Sequence, residues 1–104
     1  MWAQLIKMRI KSGKEAEADS LADMLHAAEQ PDSGLVRTLS MIDQKDPSIF
    51  YTFVLFESEE KARVRESDPL RNELLAAVRV TMAEVFEMPP EFVDLNVLTD
   101  FGPK

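Results

Sequence analysis

A chain of 104 residues with a formal charge of −7 is long enough for one domain with a modest core. The acidic balance repels phosphate backbones and anionic bilayers, so no nucleic-acid or membrane partner is expected. The absence of cysteine excludes disulfides, thiolate nucleophiles and cysteine-held zinc or iron–sulfur centres.

From Met1 to Ile10 the chain is interrupted by Gln4, Lys7 and Arg9, so it lacks a signal-peptide apolar region. No run approaches the roughly 20 apolar residues that cross a bilayer, which makes a soluble cytoplasmic protein the expectation. Within this stretch Ile6, Met8 and Ile10 alternate with Lys7, Arg9 and Lys11, the period of a strand. Ser12-Gly13-Lys14-Glu15 has the spacing of a capping box and predicts a helix after it. Leu21, Leu25 and Ala28, flanked by Ala18, Ala22 and Met24, give that helix an apolar stripe, and Pro31-Asp32-Ser33-Gly34 stops it. Its acids have no calcium-loop or metal-ligand spacing, so they read as a solvated face and no metal site is predicted.

Leu35 to Ile42 is a second strand, joined by Asp43–Ser48 to a third, Ile49 to Phe56, as in an antiparallel hairpin. Ser58 with Glu59 and Glu60 starts a short helix, and Asp68-Pro69 starts a longer one. Leu70, Leu74, Val78, Met82 and Phe86 recur at four-residue steps and are expected to lie on the core. Met88-Pro89-Pro90 ends this helix, and Phe92 to Phe101 reads as a closing strand whose drier face carries Val93, Leu95 and Val97.

The order strand, helix, strand, strand, helix, strand, with right-handed crossovers, predicts one α+β domain over residues 1–104. Its arrangement is ferredoxin-like, βαββαβ, with a four-stranded, mainly antiparallel sheet and the helices on one face. The third strand does not fit a lone subunit. Tyr51, Phe53 and Leu55 point to one side and Phe50, Val54 and Phe56 to the other, so both faces need cover while the helices supply only one layer. A second copy is the expected cover, in an interface on the order of 2,000 Å² or more.

This pattern resembles the antibiotic-biosynthesis monooxygenase-like domains of the dimeric α/β-barrel superfamily. The likeness covers nearly the whole chain. It is carried by Lys11-Ser12-Gly13-Lys14-Glu15, Ser33-Gly34-Leu35, Asp46-Pro47, and Phe56-Glu57-Ser58-Glu59-Glu60 leading to Ser67-Asp68-Pro69. The resemblance implies a homodimer formed through the sheet face, with a small aromatic or quinol-type molecule held between sheet and helices. It also implies attack of O₂ on that molecule without metal or flavin. A haem-degrading relative would need an asparagine, a tryptophan and a histidine where this chain has Ile6, Arg65 and Leu75, so that activity is disfavoured.

Three residues are candidates for catalysis. Arg65 can pair with a phenolate or carboxylate, or is a solvated helix arginine near Glu60 and Glu66. Tyr51, the only tyrosine, either donates its hydroxyl to a ligand or fills a core. His26, the only histidine, is either a base or an ordinary surface histidine. Ile6, Met8, Phe53, Phe56 and Leu75 are expected to line the pocket. Trp2 continues the phase of Ile6 and Met8 and reads as core, and Arg37, Lys7 and Arg9 read as members of cross-strand ion pairs. The same fold also hosts proteins without chemistry, so a non-catalytic, homodimeric metabolite-binding or protein-interaction module is the alternative.

Overall fold

A computed structural model describes all 104 residues. The elements follow the order β1 (Trp2–Arg9), α1 (Glu15–Ala27), β2 (Leu35–Ile42), β3 (Ile49–Phe56), α2 (Glu59–Glu66), α3 (Pro69–Val85) and β4 (Glu91–Asn96). The strands form one sheet in the order β2-β3-β1-β4, with every neighbouring pair antiparallel. This is the ferredoxin-like α+β arrangement, with α1 and α3 packed together on one face.

Register assigns each side chain to a face. Trp2 pairs with Phe56, Ile6 with Thr52 and Met8 with Phe50, so these residues share the helix-covered side. Their neighbours Leu5, Phe53, Tyr51 and Lys7 share the other. A bulge at Val36 shifts the phase of β2, which sets Arg37 against Leu55, Leu39 against Phe53 and Met41 against Tyr51 on that second face. Val93 and Leu95 of β4 join them opposite Leu5 and Ala3.

The covered side holds two apolar clusters rather than one. The larger packs Met8, Ile10, Phe50, Leu75, Val78, Val85 and Phe86 against Ala18, Leu21 and Ala28 of α1 and its end. The smaller packs Trp2, Val54 and Phe56 under Ala62 of α2. Ile6 touches both. Helix cover stops short of the outer strand, and Phe92, on the helix side of β4 opposite Ile6, is 58 % exposed.

Two predicted caps are present: Ser58 Oγ accepts from the Lys61 amide at 3.2 Å, and the Asp68 carboxylate accepts from the Leu70 amide at 3.0 Å. The predicted Ser12 cap is not. The α1 N-cap is Lys14 without a side-chain bond, and Ser12 falls in a turn that Gly13 makes at φ +84°. Leu70 and Leu74 are 51 % and 46 % exposed, against the expectation that they lie on the core. Four-residue steps advance 400° and so drift around a 3.6-residue helix, whereas the buried stripe of α3 mixes steps of three and four through Leu75, Val78, Met82 and Val85. The last strand ends at Asn96, and residues 97–104 carry no regular structure.

Candidate functional site

Polar side chains stand beside both apolar clusters, and together we call them the polar seam. Thr52 lies on the covered face of β3 between Phe50 of one cluster and Val54 of the other. Glu29 directly follows Ala28 of the larger cluster, and Arg65 lies one turn beyond Ala62 of the smaller. Arg71 lies one turn before Leu75, in the phase of Leu75, Val78 and Val85, so α3 directs it inward.

The centre of the seam is a two-point ion pair. Arg65 Nε donates to both Glu29 oxygens at 3.0 and 3.1 Å and its Nη2 donates to Oε2 at 2.6 Å, with both side chains only 16 % exposed. Ser33 Oγ donates to Glu29 Oε1 at 2.7 Å and accepts from the Leu35 amide, which ties the α1–β2 connection to the same carboxylate. The Arg65 guanidinium carbon lies 5.2 Å from the centre of the Phe56 ring, so the charge is both paired and stacked. Gly34 makes this connection possible: its φ is +83°, and a Cβ there would meet the Lys61 side chain at 2.7 Å.

Burial disfavours the charged form of Glu29, yet the hydrogen bonds from Arg65 and Ser33 and the charges of Arg65 and Arg71 outweigh it and hold the carboxyl below its ordinary range. Arg71 is shifted downward in turn, mainly by burial and next by the like charge of Arg65, while remaining protonated at neutral pH. Outside the seam, Arg63 bridges α2 to Asp94 of β4 at 3.0 Å and lies 5.0 Å from the centre of the Trp2 ring. Gln4 donates to the same Asp94 at 2.9 Å.

The sequence candidates divide between three surfaces. Ile6, Met8, Phe56 and Leu75 lie on the helix-covered side, and Arg65 joins Phe56 there. Tyr51 and Phe53 point to the opposite face of the sheet, because odd-numbered positions of β3 alternate away from Phe50, Thr52 and Val54. His26 is exposed in the last turn of α1. A pocket under the helices therefore does not contain Tyr51, Phe53 and His26. Arg65 is not the solvated neighbour of Glu60 and Glu66 either, since its fork is occupied by Glu29, 36 residues away. Lys7, Arg9 and Arg37 share the uncovered face, where Arg9 bonds Ser48 Oγ at 2.9 Å and Asp46 at 3.4 Å.

Glu29, Ser33, Thr52 and Arg71 were not foreseen as site residues. Only Arg71 carried a local signal, its helical phase with Leu75 and Val78.

A groove of about 840 Å³ runs outside α2 and reaches Ser33 and Arg65, the outer edge of the seam. A recess of about 70 Å³ near Lys7, Arg9, Met88 and Glu91 is too small for more than solvent. No three His, Asp or Glu side chains are grouped to hold a metal ion, and no helix is long and apolar enough to cross a membrane.

The backbone is similar to solved structures from several bacteria. A Nitrosomonas europaea protein, provisionally assigned as an antibiotic biosynthesis monooxygenase, superposes with a TM-score of 0.77 at 17 % identity, over 95 % of this chain and all of that one. A Chloroflexus aurantiacus protein with the same provisional assignment gives 0.68 at 22 % identity, over 98 % of each chain. The chain has the ferredoxin-like fold of these proteins. A mutant of SnoaB, a cofactor-independent oxygenase from Streptomyces nogalater, shares it with a TM-score of 0.74 at 14 % identity, over 98 % of this chain and 97 % of that one. No protein-family model matches the sequence, and no curated protein matches it.

Proposed function

We propose that the chain is a homodimeric, cofactor-independent monooxygenase-like protein that binds a small aromatic, quinol-type molecule between its sheet and helices. The observation that carries this reading is the polar seam, which stands beside the two core clusters of a fold shared with a cofactor-independent oxygenase. Dimerisation is supported by the uncovered face, where Leu39, Met41, Phe53, Leu55, Val93 and Leu95 form an apolar surface with no helix above it.

In this chemistry the substrate is its own reductant. A phenolic ring plus O₂ gives a quinone plus water: one oxygen atom enters the ring as a carbonyl, and the other leaves with two hydrogens from the substrate. The protein's contribution is to exclude water and to hold the phenolate that O₂ attacks, and cationic side chains at the seam serve that purpose. Arg65 acts there as a fixed positive wall, its hydrogen bonds already committed to Glu29.

A second reading, a non-catalytic metabolite-binding dimer of the same fold, is favoured by one feature of the seam. Its only carboxylate, Glu29, is held ionised by Arg65 and is a poor general base. Oxygen uptake with a panel of quinols separates the two. Stoichiometric O₂ consumption giving a quinone that carries one oxygen atom from O₂, with water and not hydrogen peroxide as the other product, supports the oxygenase, and binding of the same quinols without uptake supports the second reading.

A further inference from the structure

The uncovered face of the sheet carries opposite charges at opposite corners. Across the four strands, the row that begins with Arg37 of β2 ends in Leu95 of β4, and the row two steps along begins with Met41 and ends in Glu91. Three strand spacings separate the ends of a row, and four residues separate Arg37 from Met41, so the patch measures about 14 Å in each direction. Arg37 and Glu91 therefore occupy one diagonal of a near-square, Met41 and Leu95 occupy the other, and Phe53 and Leu5 fill its centre.

Neither charge is matched within the chain. Arg37 and Glu91 both stand exposed and form no ion pair. Glu91 is the only acid that a strand places on this face, and it lies in register with Lys7, which is also unpaired. The nearest acids of the hairpin are engaged elsewhere: Asp43 accepts from the Lys45 and Asp46 amides, and Asp46 holds Arg9 and Ser48. An apolar patch edged by one free cation and one free anion is complementary to itself, which is what a two-fold interface requires.

A two-fold axis between two such faces can run along the strands, across them, or along either diagonal. Along the strands it seats Arg37 on Leu95, and across them it seats Arg37 on Met41, so both leave the cation against an apolar side chain. The diagonal through Arg37 and Glu91 sets each charge on its own copy. Only the diagonal through Met41 and Leu95 sets Arg37 on Glu91, at two corners at once, with Met41 and Leu95 each meeting its own copy. That axis also turns one sheet by about 90° relative to the other, one of the two ways in which sheets pack face to face.

We infer that a second copy docks crosswise on the uncovered face, with Arg37 of each copy paired to Glu91 of the other. The pairs sit at the rim, where charge complementarity selects register and partner, while the apolar centre supplies the buried area. The inference rests on the homodimer of the proposed function and adds how its two copies are oriented.

Sedimentation equilibrium on the intact chain tests it by charge exchange. Arg37→Glu and Glu91→Arg should each weaken the dimer about tenfold or more, because like charges then meet at both corners. An equimolar mixture of the two variants should recover parent-like association, since the new acid of one chain faces the new base of the other, and the double variant should recover it alone. A second measurement does not depend on charge. The chain has no cysteine, so Arg37→Cys and Glu91→Cys each add a single thiol. A short bismaleimide should join the two variants when mixed and neither variant to itself. A parent that sediments at 11.8 kDa at every concentration removes the dimer and the crossing together. A dimeric parent whose single charge variants associate normally, or whose mixture fails to recover, overturns the crossing and leaves the dimer; so does cross-linking within either cysteine variant alone.

Discussion

The two faces of the sheet are built from similar side chains and have opposite fates. On the covered face Phe50 meets Phe86 at 6.1 Å between ring centres, beneath α1 and α3. Three residues along the chain, Phe53 on the uncovered face has only Leu5 and Leu39 across the strands. Apolar alternation thus specifies where a strand's side chains point, while helix placement decides which side of it is sealed.

The sharpest way to test this contrast is to truncate both aromatics. Phe50→Ala should cost about 3–5 kcal/mol in urea unfolding, the usual range for a buried phenylalanine. Phe53→Ala should cost less at low protein concentration and progressively more as concentration rises, the behaviour expected of the proposed dimer, in which a second copy would complete its surroundings. Equal, concentration-independent losses would mean that both faces are sealed within one subunit.

Arg65→Ala probes the polar seam of the covered side and should cost about 2–4 kcal/mol, because it leaves the Glu29 carboxylate buried without its partner. The pH dependence has a definite sign. A carboxyl held below its ordinary range adds stability that is present above the unfolded glutamate pKa and is lost as the pH falls through the folded one. Parent protein should therefore lose stability in the acid region below that ordinary value, and Arg65→Ala should flatten this limb in pH-dependent melts.

On the open face, Leu39→Glu should convert a species of twice 11.8 kDa into a folded one of 11.8 kDa in light scattering. The change in secondary structure should be small. A parent that is already a stable species of 11.8 kDa in dilute solution would remove the dimer from the proposal. The smallest effect belongs to Ser58→Ala, which removes the cap of α2 and should cost about 1 kcal/mol in either assembly state.

Much of this architecture was legible in the residues. Alternation defined β1, a short run apolar on both faces defined β3, turn residues bounded the hairpin, and Ser58 and Asp68-Pro69 marked two helix starts, because each of these signals acts within a few residues. The site was less legible. Arg65 and Glu29 meet across 36 positions, and no local pattern pairs an arginine of α2 with an acid beyond α1 when Glu60 and Glu66 are nearer in sequence. The inward position of Arg71 was hidden by reading α3 in four-residue steps, which drew attention to Leu70 and Leu74 instead. Tyr51 and His26 attracted notice because they are the only residues of their kind, a property of composition that carries no information about direction.

The surplus residue at Val36 has a further implication for how such a surface changes over time. Leu35 and Leu39 have the same parity in the sequence, yet they serve opposite sides of the sheet because one extra unit of backbone intervenes. Were the ladder to run unbroken from Leu35, Leu39 and Met41 would turn toward the helices, and Thr38 and Ser40 would stand in their stead. A stickiness that elsewhere takes several side-chain replacements to erase is here controlled by the location of a single kink.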